Sequence, residues 1–269
     1  MNPSLPDSFR AVRACFVREL RASLLNRFVH VFSAAALLAG IAPLFVTQRS
    51  GDAAPYFLLQ ALLYLVPLFA LLVGTGSAQA DHDERPFLLA QPVRRGVFVV
   101  GKFLALALLF ALATLLLVLP GALADTALAP LGFLWLCGVG AGAVFVAFGL
   151  ACGFGVNDRV KAHLVSLCVW LLFLAGFDLV ALAGAHLPFL QAQPAAWTGI
   201  LMLNPLDALR IGALFTIDKI PFDTTQAPPL VRWWLAHTGA WFALLAAMWT
   251  ACALAWSARQ LDRSAHRSS

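Results

Sequence analysis

The sequence predicts an all-α polytopic membrane protein: six transmembrane helices, a short amphipathic helix before them and a re-entrant external segment between the fifth and the sixth. Of its 269 residues, 61% are hydrophobic and only 12% are charged, about half the charged share of an ordinary soluble domain. The apolar residues also fall into six runs, each close to the ~20 residues that a helix needs to cross a bilayer. A sequence pI of 9.3 therefore reflects membrane topology, and we expect no nucleic-acid partner.

Residues 1–28 predict an interfacial helix that feeds the first span. Its apolar side chains recur every three or four residues along one face; they are Phe9, Val12, Phe16, Leu20 and Leu24. Arginines lie mostly on the opposite face. A soluble helix beside the membrane is the alternative. Because this stretch lacks an early apolar core and a cleavage site, we expect no secretory signal peptide.

The six spans are placed at residues 29–47, 55–79, 99–121, 130–155, 162–185 and 233–257. Backbone groups in lipid must be satisfied within the segment, so each span is expected to be helical. The fourth carries glycines that form two G-x-x-x-G pairs on one helical face; they are Gly138, Gly142, Gly149 and Gly153. Small residues allow helices to approach closely in lipid. We favour packing within the subunit over a dimer seam.

Orientation follows from the distribution of Lys and Arg. With six spans both termini lie on one side, and that side holds fourteen of the 18 basic residues. The other side holds only Arg49, Arg210, Lys219 and Arg232. The positive-inside rule therefore predicts cytoplasmic termini in the inner (plasma) membrane.

The loop after the second span, residues 80–96, is the most charged stretch of the chain. It cannot lie in hydrocarbon, and it encloses an apolar ridge between two prolines. Such a ridge suits docking of another protein, while a short surface helix is the alternative. The candidate contact residues are Asp83, Glu84, Arg85, Phe87, Leu88, Leu89, Arg94 and Arg95. Asp158 and Arg159, in the next cytoplasmic loop, form a smaller candidate contact.

Asp178 is an acid inside the fifth predicted span, and an intramembrane acid is a functional candidate by default. The external segment, residues 186–232, contains a helix start, with Asn204 as N-cap, Pro205 in the first helical position and Asp207 in the first turn. Arg210 follows one turn later and is the expected partner of Asp178. A purely structural role for the acid is the alternative.

Several kinds of chemistry are poorly supported. Residues 96–102 fit G-x-x-x-x-G-K, but Phe103 stands where a phosphate-binding loop needs Ser or Thr. No C-x-x-C, H-E-x-x-H or G-x-S-x-G occurs, so neither a disulfide framework nor a structural zinc site is expected. We expect no metal site, no cofactor and no enzymatic activity in this chain.

The whole layout resembles the type-2 permeases of ABC exporters, and among them the permeases for nitrous oxide reductase maturation. Three stretches carry the resemblance: residues 88–96 with Gly101 and Lys102, residues 170–180 around Asp178, and Asn204–Asp207 followed by Arg210. Gly-Thr commonly follows the acids of the loop in this family, whereas Arg85-Pro86 stands there in this chain.

The resemblance implies a single transmembrane permease domain over residues 1–269 that works as a homodimer with a separate cytoplasmic ATPase. ATP and magnesium would then belong to that ATPase. It further implies a periplasmic partner that receives a sulfur- or copper-related species, or a conformational signal. One alternative is an exporter of lipid, drug or another small molecule; another is a membrane scaffold or intramembrane enzyme without an ATPase.

Overall fold

The structure is a computed structural model, and it describes residues 5–46, 53–81, 94–124, 126–184, 194–218 and 229–268. All regular elements in these ranges are helical. The α-helices are α1 (Leu5–Leu24), α2 (Arg27–Ile41), α3 (Pro43–Val46), α4 (Ala54–Ala80), α5 (Arg95–Val118), α6 (Leu128–Gly155), α7 (Arg159–Leu171), α8 (Phe177–Gly184), α9 (Pro194–Leu203), α10 (Pro205–Asp218), α11 (Pro229–Ala236) and α12 (Thr238–Ser268). A 3₁₀ turn, Leu119–Ala124, follows α5, and a π-helical turn, Leu172–Gly176, joins α7 to α8.

Six stretches in the described ranges are long and apolar enough to cross a membrane, which confirms the predicted fold class. Spans 1 to 6 are Arg27–Phe45, Ala54–Ala80, Arg95–Leu123, Leu128–Gly155, Arg159–Gly184 and Thr238–Arg263. The sixth begins five residues later than the sequence indicated. Trp233 and Trp234 extend the apolar run in the sequence, but they belong to the separate short helix α11.

Spans 2 and 4 form the centre of the bundle, and their contact depends on glycine. A Cβ atom at Gly149 would lie 2.5 Å from the carbonyl oxygen of Leu71, and one at Gly153 would lie 2.6 Å from the Cβ of Ala78. Only hydrogen fits at such distances. The glycine face of span 4 therefore packs within the subunit, as the sequence favoured.

Buried polar side chains join the same spans near the end of α4. Gln79 Nε2 donates to the carbonyls of Gly153 and Val156, at 2.6 Å each, where α6 ends. Thr75 Oγ1 donates to the Gly149 carbonyl and lies 2.5 Å from the hydroxyl of Ser166. The two bonds from Gln79 satisfy carbonyls that the end of α6 leaves free, whereas the bond from Thr75 reaches a carbonyl inside the helix.

Helix α1 packs across the beginning of span 3. The contact is closest at Gly101, where a Cβ would lie 2.6 Å from the Cβ of Cys15. The chain then turns, and Asn26 caps α2 by accepting a hydrogen bond from the Phe28 N–H at 2.9 Å. Phe9 and Leu24 remain exposed. An interfacial position for α1 agrees with that exposure and stays a prediction.

Helices α9 and α10 form an elbow at Asn204 and pack against the spans. The first turn of α10 is buried, with Leu206 and Leu209 at most 1% exposed. Helix α10 as a whole contacts spans 2, 4 and 6. The depth of this elbow in the bilayer stays a prediction.

Candidate functional site

Asn204 holds the elbow between α9 and α10 and is 1% exposed. Its Oδ1 accepts a hydrogen bond from the Leu206 N–H at 3.0 Å, which confirms the predicted N-cap, with Pro205 in the first helical position. Its Nδ2 donates to Asp207 Oδ2 at 2.5 Å and to the carbonyl of Phe173 at 2.9 Å. The cap therefore also joins the elbow to span 5.

The π-helical turn in span 5 explains why the Phe173 carbonyl accepts this bond. In an α-helix that carbonyl would accept from the N–H of Phe177. Here the Phe177 N–H donates to Leu172 instead, and Asn204 takes the acceptor that is left free. Single π turns inside α-helices occur frequently at functional sites.

Asp178 lies just beyond the π turn and faces Arg210. Arg210 Nη1 lies 3.5 Å from Asp178 Oδ2 and 3.6 Å from Asp207 Oδ1. The side chain of Asp178 is 50% exposed, whereas that of Asp207 is 4% exposed. One guanidinium thus lies between a half-exposed and a buried carboxylate, and the expected contact between Asp178 and Arg210 is present.

Asp207 lies in α10, outside the six spans. Burial raises the pKa of its carboxyl to about 6, and the neighbouring charge of Asp178 acts in the same direction. Arg210 and the hydrogen bond from Asn204 oppose the rise. The group is thus poised to take up a proton on mild acidification.

Two tryptophans of span 6 complete the elbow. Trp241 Nε1 donates to the carbonyl of Met202 at 2.8 Å, and Trp249 Nε1 donates to that of Leu203 at 3.1 Å. These carbonyls are at the end of α9, where the helix itself offers no donors. The elbow is therefore bonded to both span 5 and span 6.

The structure describes part of the predicted docking surface at residues 80–96. Asp83, Glu84, Arg85, Phe87, Leu88 and Leu89 lie outside the described residues. Arg94 is exposed immediately before α5. Arg95 forms an ion pair with Asp262 in α12.

The second predicted contact, the turn before α7, is described in full. Asp158 Oδ1 accepts a hydrogen bond from the Lys161 N–H at 2.8 Å and so caps the helix. Arg159 is exposed in the first turn of α7. Capping accounts for Asp158 structurally, and the exposed Arg159 is available to a partner.

A buried ionic cluster beside the loop was not foreseen from the sequence. Lys102, at 2% exposure, places Nζ 2.5 Å from Glu19 Oε2 and 2.8 Å from Asp81 Oδ2. Ser77 Oγ donates to Glu19 at 2.5 Å, and Arg18 approaches Asp81 at 3.3 Å. Removing one partner of a buried ion pair typically costs about 3–5 kcal/mol. The cluster therefore holds α1, the end of span 2 and the beginning of span 3 together.

The same cluster explains the G-x-x-x-x-G-K pattern. Gly101 admits the backbone of α1, and the Lys102 ammonium is bound by carboxylates instead of phosphate. In the part of the chain that the structure describes, no group of three His, Cys, Asp or Glu side chains could hold a metal ion.

These features agree with the family to which the chain belongs. Residues 16–263 match the ABC-2 family transporter protein family, so this chain is the multi-pass, membrane-spanning permease subunit of an ABC transporter. It is 30% identical over 208 residues to the "Probable ABC transporter permease protein NosY" of Pseudomonas aeruginosa, covering 71% of this chain and 73% of that protein. It is 34% identical over 160 residues to the protein of the same name from Stutzerimonas stutzeri, covering 55% and 58% of the two chains.

Proposed function

We propose that this permease, driven by a separate cytoplasmic ATPase, supports copper-site maturation of nitrous oxide reductase. It would do so by moving a sulfur- or copper-related species, or a conformational signal, to the periplasm. The observation that carries this proposal is the bonding of Asp178, Asn204, Asp207 and Arg210 into one site, because these residues were singled out by the resemblance to that group of permeases. The two relatives named NosY support the same role.

In the proposed topology the protein lies in the inner membrane and both of its termini are in the cytoplasm. The structure supports it by bringing α1, both ends of the loop and α12 together: Lys102 contacts Glu19 and Asp81, and Arg95 contacts Asp262. Fourteen of the 18 basic residues belong to this side, as the positive-inside rule expects of the cytoplasmic side. The site around Asp178 is then on the periplasmic side.

The proposed partners are a cytoplasmic ABC ATPase, a second copy of this chain, a periplasmic protein and membrane lipid. ATP and magnesium would be bound by the ATPase. Only 12% of the apolar window of span 5 is buried within one subunit, yet the span carries the half-exposed Asp178. A charge that faces hydrocarbon costs free energy. A second copy of the chain could enclose a polar space beside Asp178, and the exposed face of span 5 therefore supports a homodimer.

The proposed role has a direct test in a cell that makes both nitrous oxide reductase and this chain. Deleting the chain should leave the reductase polypeptide present but poor in copper, and expressing the chain again should restore the copper content. Normal copper in the deletion strain contradicts the maturation role. An ATP-dependent export of lipid or drug in reconstituted vesicles would then favour the general exporter within the same family.

A further inference from the structure

Three segments meet at the buried ionic cluster formed by Glu19, Asp81 and Lys102. Glu19 belongs to α1, Asp81 directly follows span 2, and Lys102 lies seven residues after the first residue of span 3. The charged loop, residues 80–96, joins these two spans. The cluster is thus the place where the end of the loop touches a helix outside the six spans. Asp81 is the last described residue at the span 2 end of the loop, and it is paired with both Arg18 and Lys102.

The contacts within the cluster are built around one cation, which lies between two carboxylates. Lys102 Nζ forms ion pairs with both Glu19 and Asp81 and donates a hydrogen bond to the Ser77 hydroxyl at 2.7 Å. Arg18 provides Asp81 with a second, half-exposed cation. The two cations and the two carboxylates therefore balance in charge.

The cluster also has space in which to rearrange. A cavity of about 240 Å³ adjoins it, lined by Arg18, Glu19, Asn26, Ser77, Asp81 and Lys102 among others. Buried side chains in a close-packed core can move little without displacing their neighbours. Beside this cavity, the ends of Glu19 and Lys102 can shift while the apolar packing stays in place.

We propose that Lys102 is a positioning residue that transmits movement of the charged loop to α1. When the ATPase pulls on the loop, Asp81 moves and Lys102 moves with it. Because Glu19 is paired with Lys102, α1 then moves away from Gly101. The inference rests on the proposed function in one respect: it needs an ATPase that acts on the loop.

Cys15 provides a native probe of this movement. It packs on Gly101, where α1 and span 3 are closest, and it is partly buried. Burial raises the pKa of its thiol, and a protonated thiol reacts slowly with maleimide. Separation of α1 from span 3 should therefore speed its alkylation.

The experiment uses the full chain with its co-purifying ATPase in vesicles. Cys15 alkylation by N-ethylmaleimide is followed by peptide mass spectrometry, with and without ATP and orthovanadate. We compare the wild type with Lys102→Met. A second variant, Glu19→Gln, is used in case Lys102→Met fails to fold, because glutamine keeps the shape of the side chain and an oxygen that can accept from Ser77. Arg13→Met, at an exposed position of the same helix, is the matched control.

In the wild type and in Arg13→Met, ATP and orthovanadate should raise the alkylation rate at least about fivefold. Lys102→Met and Glu19→Gln should keep the ATPase bound but lose this nucleotide response. If the rate of Cys15 alkylation in the wild type does not change with nucleotide while the ATPase is bound, the inference is wrong and the proposed function is unaffected. A response retained in Glu19→Gln also overturns the inference, and an absence of any bound ATPase contradicts both proposals.

Discussion

The guanidinium of Arg210 lies 3.5 Å from the carboxylate of Asp178 and joins span 5 to the helix that follows the elbow. Both side chains are partly exposed, at 28% and 50%. In the polar space that the proposed second copy encloses, we expect this pair to contribute about 0–1 kcal/mol to stability, as an exposed ion pair does in water. Its loss should therefore affect movement or delivery at this site far more than folding.

Asp178→Asn tests that expectation, because it keeps the size of the side chain and removes its charge. The variant should insert normally and keep its ATPase, while the copper content of nitrous oxide reductase falls at least about fivefold. The measurement is metal analysis of the purified reductase. Asp178→Glu, which keeps the charge, is the control and should retain more activity. Full copper loading with Asp178→Asn would show that the acid is merely structural.

Asn204→Ala should destabilise the protein more than Asn26→Ala. Both residues are helix N-caps, but Asn204 is buried and bonds to Phe173, Asp207 and Leu206, whereas the bond of Asn26 is exposed. Loss of a cap costs about 0.5–2 kcal/mol, and each buried polar group left unpaired adds about 1–3 kcal/mol. Thermal unfolding in detergent compares the two variants. Equal melting temperatures would contradict the assigned contacts.

The π turn should set the direction in which Asp178 points. Deleting Ala175 would convert the turn to α-helix and rotate Asp178 by about 100° relative to the preceding residues. The measurement is a double-mutant cycle on the free energy of unfolding, with Asp178→Asn and Arg210→Gln. The cycle should show no coupling energy in the deletion variant, whereas the normal chain should show up to about 1 kcal/mol. Deleting Leu182, beyond Asp178, is the control and should preserve the coupling. Coupling that survives the Ala175 deletion contradicts the role of the turn.

Asp207 should make stability depend on pH. Its pKa in the folded protein, about 6, exceeds its ordinary value of 3.8, so the folded state holds a proton that the unfolded chain releases between these values. Stability should therefore fall as pH rises from about 4 to 6 and change no further above that. Melting temperatures of the wild type should drop over this range relative to those of Asp207→Asn. Parallel curves for the two proteins would count against the buried carboxyl.

The sequence predicted the spans and the elbow, because hydropathy, glycine spacing and capping are local signals. It also paired Asp178 with Arg210, since few charges are available on that side. The sequence did not predict the hydrogen bond from Asn204 to Phe173, because no local signal in the fifth apolar run indicates a π turn. The contact of Lys102 with Glu19 was missed as well, because the two residues are 83 positions apart and no local signal pairs them.

The proposed function depends on a cytoplasmic ATPase that docks on the charged loop, and co-purification of this ATPase with the full chain tests that dependence most directly. The wild type should retain an ABC ATPase through affinity purification in mild detergent. Leu88→Asp should lose it while still inserting in the membrane, because a charge then interrupts the apolar ridge. Leu123→Asp, at an exposed position at the other end of span 3, should retain it. An ATPase that stays bound to Leu88→Asp at the wild-type level would contradict docking on this loop.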